Sequence, residues 1–94
     1  MYKLLLDRGV LRELGDIKRY PAKVYRQITY RILDLPLNPR PPDSEQIGSG
    51  YRVDVGEHRI YYEINEREQL VTVWVIGPRN DDEVYKRLKR KMGS

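Results

Sequence analysis

The stretch YRVDVGEHRIYYEI, residues 51–64, constrains the fold more than any other part of the chain. Two runs of alternating apolar and polar residues flank Gly56-Glu57, and a two-residue turn that begins with glycine favours the type II′ geometry. Such a turn fixes which residues face each other across the hairpin. The predicted pairs are Val55 with His58, Asp54 with Arg59, Val53 with Ile60, and Arg52 with Tyr61.

Alternation along a strand divides its side chains between the two faces of a sheet. The face covered by helices is predicted to carry Val53, Ile60, Tyr62 and Ile64, together with Val71, Val73 and Val75 of the next strand, VTVWVIG. The open face is predicted to carry Arg52, Asp54, Arg59, Tyr61 and Glu63, with Thr72, Trp74 and Ile76.

The open face supports two interpretations. Aromatic rings stack on nucleobases and guanidinium groups pair with phosphate, so a Trp, a Tyr and two arginines on one face suit nucleic acid. The same residues also fit a structural role, in which Asp54 and Arg59 form an ordinary cross-strand ion pair. Trp74 would then be covered by the chain's own tail or by a partner protein.

The segment before the hairpin contains apolar residues at helical spacing. Tyr2–Leu6 reads as an opening strand. Asp7 is predicted to cap a helix that starts at Arg8 or Gly9. Its buried face comprises Val10, Leu14 and Ile17, with Leu11 alongside. After Tyr20-Pro21 a second helix buries Val24, Ile28, Ile32 and Leu35 and stops at Pro36.

Two further segments are less regular. Residues 36–50 hold four prolines and two glycines, which predicts a long connection that is either functional or loosely ordered. At the other end, Asn80-Asp81-Asp82 is predicted to cap a last helix. This helix has an apolar stripe of Val84, Tyr85 and Leu88, and a basic tail of Lys86, Arg87, Lys89, Arg90 and Lys91.

Composition narrows the class of protein. A chain of 94 residues predicts a single domain, 1–94, in which the final Gly93-Ser94 is expected to derive from cloning. The net charge of +4 suits an anionic partner, either nucleic acid or an acidic protein. There is no cysteine, which excludes disulfides, thiol nucleophiles and thiolate metal sites. No long apolar run exists, so we expect a cytoplasmic protein without a membrane partner.

Most catalytic motifs are missing. His58 is the only histidine, and its side chain is predicted on the opposite face from Arg59, which favours a structural role. The chain has no HxxxH motif, carboxylate cluster or glycine-rich phosphate loop. We therefore expect no metal and no cofactor.

Three segments, YRVDVGEHRIYYEI, VTVWVIGPR and EVYKRLKR, together resemble the RelE/ParE superfamily of type II toxin–antitoxin toxins. The resemblance covers nearly the whole chain. It implies an α+β, RelE-like fold: an N-terminal strand and a two-helix hairpin packed on a mainly antiparallel sheet, in the order β-α-α-β-β-β, with a C-terminal helix.

The superfamily contains two activities. RelE-like members cleave mRNA in the ribosomal A site without a metal, whereas ParE-like members poison DNA gyrase. Resemblance to the RelE-like branch implies a ribosome-dependent endoribonuclease (mRNA interferase) that inhibits translation. The implied catalytic residues are Arg52, Arg59, Arg79 and Tyr85, and the implied RNA-binding residues are Arg52, Arg59, Tyr61, Arg79 and Lys86.

In this assignment Arg59 and Arg79 hold the scissile phosphate, Arg52 assists, and Tyr85 orients or activates the 2′-hydroxyl. Asp54 departs from the pattern, because the best-known RelE members carry a second lysine there. The alternatives are a ParE-like gyrase inhibitor and a non-catalytic relative that only binds its antitoxin.

The resemblance also implies partners. These are a cognate antitoxin protein, mRNA on the ribosome, and operator DNA bound only by the toxin–antitoxin complex. An acidic or amphipathic antitoxin segment would cover the cationic face and displace the basic C-terminal helix.

Overall fold

The computed structural model describes residues 1–79 and 83–93. The predicted Asn80-Asp81-Asp82 cap lies outside the described residues. The elements in chain order are β1 (Lys3–Leu6), α1 (Arg8–Ile17), α2 (Ala22–Asp34), β2 (Glu45–Ile47), β3 (Gly50–Val55), β4 (His58–Asn65), β5 (Leu70–Pro78) and α3 (Glu83–Gly93). None of the described helices is long and apolar enough to span a membrane.

The strands form one sheet in the order β1-β5-β4-β3-β2. β1 runs parallel to β5, and the other neighbouring pairs are antiparallel. This arrangement confirms the α+β class and the mainly antiparallel sheet predicted from the sequence.

The two N-terminal helices begin and bury residues largely as predicted. The Asp7 carboxylate accepts a hydrogen bond of 2.9 Å from the Gly9 backbone N–H, which caps α1. Val10 and Ile17 are buried, as are Ile28 and Ile32 of α2. The prediction for Leu11 is wrong: its side chain is 55% exposed, because it lies about 100° around the helix from Val10.

The main core lies between these helices and one face of the sheet. Its strand residues are Val53, Ile60, Tyr62, Val71, Val73 and Ile76. Tyr62 is the largest of them, and its hydroxyl donates a 2.7 Å hydrogen bond to the Pro39 carbonyl. Burial raises the pKa of the Tyr62 phenol to about 12, since a low-dielectric site disfavours the charged form.

The β3–β4 hairpin confirms the register read from its turn. Asp54 pairs with Arg59, and Arg52 pairs with Tyr61. Gly56 takes a φ of +58° and Glu57 does not take a positive φ, which agrees with a type II′ turn.

The pairing of β4 with β5 departs from simple alternation. The register shifts between Tyr61 and Tyr62, so that Tyr61 pairs with Val75 whereas Tyr62 pairs with Val73. Trp74 is the extra residue of a β-bulge, and it reverses the alternation beyond it. The predictions for Val75 and Ile76 are therefore wrong. Ile76 joins the helix-side core, and Val75 lies with Tyr61 on the other face.

The connection between α2 and the hairpin contains a strand that the sequence did not predict. β2 pairs with β3, placing Glu45 opposite Arg52 and Ile47 opposite Gly50. Its three residues are too few to show alternation, and the prolines around them favour an irregular loop. The segment is thus an ordered edge of the sheet.

Candidate functional site

Arg59 and Tyr85 meet although 26 residues separate them in the sequence. Arg59 projects from β4 and Tyr85 from α3, and Arg59 Nη1 donates a 3.2 Å hydrogen bond to the Tyr85 hydroxyl. The Arg59 guanidinium carbon also lies 5.7 Å from the centre of the Tyr85 ring, within the range of a cation–π contact. The structure therefore brings together two residues that the resemblance assigned to one site.

Asp54 lies at the centre of this cluster. Arg59 Nε donates to Asp54 Oδ1 at 2.9 Å, and Arg59 Nη2 donates to Asp54 Oδ2 at 3.4 Å. The hydrogen bond from Arg59 is the main cause that lowers the pKa of the Asp54 carboxyl. The positive charges of Arg52 and Arg79 lower it further. Asp54 is thus an ionised carboxylate held among arginines.

Arg52 is engaged by two carboxylates. Arg52 Nη1 lies 3.4 Å from Asp54 Oδ2, and Arg52 Nη2 pairs with Glu45 on the edge strand β2. Sequence reasoning missed Glu45 because it missed β2. The charge of Arg52 is therefore shared between a half-buried carboxylate and an exposed one.

Arg79 and Lys86 contribute exposed charge near the cluster. The Arg79 backbone N–H donates a 3.0 Å hydrogen bond to the Glu57 carbonyl, which fixes the chain where it leaves β5. Its exposed side chain is close enough for its charge to act on Asp54. Lys86 is exposed on α3, one residue after Tyr85.

Tyr61, which the resemblance implies binds RNA, lies under α3 in this structure. Tyr61 is only 3% exposed and forms a second small core with Val75, on which Trp74 and Leu88 of α3 pack. The Tyr61 ring also lies against Gly50, where an added Cβ would stand 2.6 Å from Tyr61 Cζ. Alternation placed Tyr61 on the correct face, but it could not show that α3 covers the middle of that face.

Trp74 follows the structural interpretation. Its indole N–H donates a 2.9 Å hydrogen bond to Glu63, and its ring belongs to the cluster that Leu88 covers. Leu88 of the chain's own last helix therefore packs on the cluster that contains Trp74, as that interpretation proposed.

Arg87 holds α3 on the rest of the protein and was not singled out from the sequence. Arg87 Nη1 donates to Glu13 Oε1 of α1 at 3.0 Å and to the Ile76 carbonyl of β5 at 2.8 Å. These bonds fix the helix that carries Tyr85. In the sequence Arg87 is one of several cations in a basic tail, and no signal there distinguishes it.

His58 lies away from the arginine cluster. Its ring contacts Tyr20 at a centroid distance of 5.8 Å, on the side of the helices. Among the side chains that the structure describes, no group of three or more His, Cys, Asp or Glu is placed to hold a metal ion.

Comparison with known proteins identifies the family to which this chain belongs. The model of the ParE toxin of the type II toxin–antitoxin system, parDE, matches residues 4–83. The chain belongs to the ParE toxin family. It is therefore a type II toxin of the RelE/ParE superfamily. Among curated protein sequences, none gives a significant match.

Three solved structures similar to this ParE-family toxin contain RelE proteins. A free-state mutant of E. coli RelE has a TM-score of 0.75 at 20% identity, covering 97% of each chain. The RelE–RelB complex from Pyrococcus horikoshii has a TM-score of 0.69 at 22% identity, covering 84% of this chain and 96% of that one. The E. coli RelBE toxin–antitoxin complex has a TM-score of 0.69 at 19% identity, covering 86% of this chain and 100% of that one. The expected RelE-like fold is confirmed.

Proposed function

We propose that this ParE-family toxin is a ribosome-dependent mRNA endoribonuclease that needs no metal and inhibits translation. The observation that carries the proposal is the contact between Arg59 and Tyr85. A guanidinium group and a phenol hydroxyl lie 3.2 Å apart at the hairpin end of the sheet, with the charges of Arg52 and Arg79 near them.

The chemistry is attack of an RNA 2′-hydroxyl on the adjacent phosphorus. A P–O2′ bond forms as the 2′-oxygen gives up its proton, the P–O5′ bond breaks, and the leaving 5′-oxygen takes a proton. Extra negative charge develops on the phosphate during this step, and guanidinium groups stabilise such charge through paired hydrogen bonds. Arg59 and Arg79 bind the phosphate in this proposal, and Arg52 assists them.

Tyr85 provides a positioned hydroxyl group. Because the Tyr85 oxygen accepts its hydrogen bond from Arg59, its own proton remains available for a substrate oxygen. In the proposed mechanism Tyr85 orients the 2′-hydroxyl or shuttles its proton. Such a site has few groups for proton transfer, and it depends on the ribosome to align the mRNA for in-line attack.

Cell-free translation tests this assignment. Tyr85→Phe and Arg79→Ala should each raise the toxin concentration needed for half-inhibition by roughly 10²-fold, the scale of a lost proton-transfer or charge-stabilising group. Lys89→Ala is the matched control, since Lys89 is an exposed cation on the same helix. Inhibition by both variants at the wild-type concentration would overturn the proposal.

The proposed partners are a cognate antitoxin, mRNA in the ribosomal A site, and operator DNA that only the toxin–antitoxin complex binds, all in the cytoplasm. Family membership supports the antitoxin, and RelE relatives are known in complex with RelB. Coexpression with the antitoxin should yield a stable complex that no longer inhibits cell-free translation. A complex that inhibits as strongly as the free toxin would contradict this partner assignment.

A second candidate function is inhibition of DNA gyrase. It is favoured by the match to the ParE family model and by the Asp54 carboxylate, which engages Arg59. Expression would then produce DNA double-strand breaks and an SOS response while mRNA stays intact. Intact DNA together with cleaved mRNA would exclude this function.

A further inference from the structure

The Arg59 guanidinium group has all three of its nitrogens engaged within the protein. Nε and Nη2 donate to the two carboxylate oxygens of Asp54, and Nη1 donates to the Tyr85 hydroxyl. Arg59 is also only 16% exposed. Three of the five Arg59 N–H groups are therefore engaged, including both donors of the edge formed by Nε and Nη2.

Asp54 uses the edge of Arg59 that a phosphate would use. Carboxylates and phosphates both accept two parallel hydrogen bonds from one edge of a guanidinium group. Asp54 occupies the edge formed by Nε and Nη2. Nη1 donates one of its two N–H groups to the Tyr85 hydroxyl.

The charges of the cluster are also balanced internally. Asp54 bridges Arg59 and Arg52, and Glu45 pairs with the second Arg52 terminal nitrogen. The two strand arginines are thus matched by two carboxylates. Asp54 is the more buried of these carboxylates, at 31% exposed against 60% for Glu45, so its charge is less screened by solvent.

We propose that Asp54 occupies the phosphate position of the arginine cluster in the resting toxin, and that a substrate phosphate binds the Nε–Nη2 edge of Arg59 only by displacing this carboxylate. Arg52 Nη1, 3.4 Å from Asp54 Oδ2, provides the partner toward which the displaced carboxylate turns. Asp54 is therefore a residue that limits substrate affinity. That the phosphate belongs to RNA rests on the proposed nuclease function.

The alternative role for Asp54 is purely structural, as one half of a cross-strand ion pair. The two roles differ in what a neutral side chain does at this position. If Asp54 only supports the hairpin, its removal weakens the fold and raises phosphate affinity no more than removal of the Glu45 charge does. If it occupies the phosphate position, its removal strengthens phosphate binding at Arg59.

The experiment titrates inorganic phosphate into the full-length toxin and follows the Arg59 Nε–H resonance by NMR. Asp54→Asn keeps the shape of the side chain and removes its charge. Glu45→Gln is the matched control, because it removes the same charge from the same arginine cluster without touching Arg59. Asp54→Asn should bind phosphate roughly tenfold more tightly than wild type, the scale of one like charge removed from a partly exposed site. The phosphate affinity of Glu45→Gln should rise by less than about threefold, since the Glu45 carboxylate is more exposed.

The wild-type protein supplies a measurement that does not depend on a variant that folds. At phosphate concentrations that shift the Arg59 resonance, the Asp54 carboxylate carbon should shift as well, because it loses its Arg59 hydrogen bonds. A shift at Arg59 with an unchanged Asp54 resonance would overturn the proposal. So would equal gains in affinity from Asp54→Asn and Glu45→Gln, or the absence of phosphate binding at Arg59 in both wild type and Asp54→Asn.

The two proposals fail separately. If Asp54→Asn gains phosphate affinity but neither it nor wild type cleaves translated mRNA, Asp54 still occupies an anion site and the nuclease function is wrong. If wild type cleaves mRNA but Asp54→Asn binds phosphate no more tightly, the nuclease function stands and the role given to Asp54 is wrong.

Discussion

At the scale of single residues, Gly50 is required by the close approach of its neighbours. A Cβ atom at position 50 would lie 2.6 Å from the Tyr62 carbonyl oxygen and 2.6 Å from Tyr61 Cζ. The carbonyl is held in the sheet and Tyr61 is buried. Moving either one away would disturb strand pairing or core packing. Glycine at this position therefore permits β3 to pass under the Tyr61 ring.

Gly50→Ala should lower the free energy of unfolding by about 1–3 kcal/mol, the usual cost of overpacking. Urea denaturation measures this change. Gly15→Ala is the control with the opposite expected sign: nothing lies within 4 Å of its added Cβ. Alanine there should stabilise α1 by up to about 1 kcal/mol. Equal stability of wild type and Gly50→Ala would contradict the packing described here.

The contribution of Asp54 to the free energy of unfolding depends on pH. Its pKa is lowered in the folded protein, first by the Arg59 hydrogen bond. A carboxyl with a lowered folded pKa stabilises the fold above its unfolded pKa of about 3.9, and this contribution is lost as pH falls through the folded pKa. The free energy of unfolding of wild type should therefore exceed that of Asp54→Asn by on the order of 0.5–1 kcal/mol at pH 7.

Below about pH 4 this difference should shrink toward zero. The comparison uses urea unfolding of both proteins at pH 7 and at pH 2.5. Asp43, whose pKa is also lowered by an arginine hydrogen bond, is present in both proteins. A difference of the same size at both pH values would contradict the ion-pair account.

How far the sequence predicts the site depends on which contacts are local. The pairing of Asp54 with Arg59 follows from a two-residue turn only a few residues away, and the structure confirms it. The contact of Arg59 with Tyr85 was implied by family resemblance, because spacing says nothing about where a distant helix docks. The burial of Tyr61 was missed for the same reason.

At the scale of elements, the β-bulge at Trp74 decides which side of β5 faces the main core. Alternation placed Val75 inward and Ile76 outward, and the bulge reverses both. The helices were easier to predict, since an apolar period of three to four residues persists through an ideal helix. A single extra strand residue leaves no comparable signal, because every residue in VTVWVIG except Thr72 and Gly77 is apolar.

The position of α3 depends on Arg87. Arg87→Ala removes the hydrogen bonds to Glu13 and to the Ile76 carbonyl, each of which contributes about 1 kcal/mol. Amides of α3 should then exchange with solvent roughly tenfold faster, which native-state hydrogen exchange measures. Lys89→Ala, which alters an exposed cation of the same helix, should leave these rates within about twofold. Unchanged rates in Arg87→Ala would show that other contacts hold α3.

At the scale of the whole molecule, helices cover one face of the sheet and α3 covers the middle of the other. The arginine cluster is left at the hairpin end of that second face, where β3, β4, Arg79 and α3 meet. The site is therefore assembled from segments far apart in the sequence, and its geometry depends on the docking of the last helix. The RelE-like fold itself was predicted, since family resemblance covered nearly the whole chain.

The activity proposed for this toxin is cleavage of mRNA on the ribosome. Primer extension on mRNA from cells given a short pulse of toxin expression tests it most directly, with Tyr85→Phe expressed to the same level as the control. The account predicts wild-type cuts that lie within translated codons positioned in the A site and disappear when translation is blocked, with cuts greatly reduced in Tyr85→Phe. Uncut mRNA after wild-type expression, in cells whose growth has stopped, would contradict it.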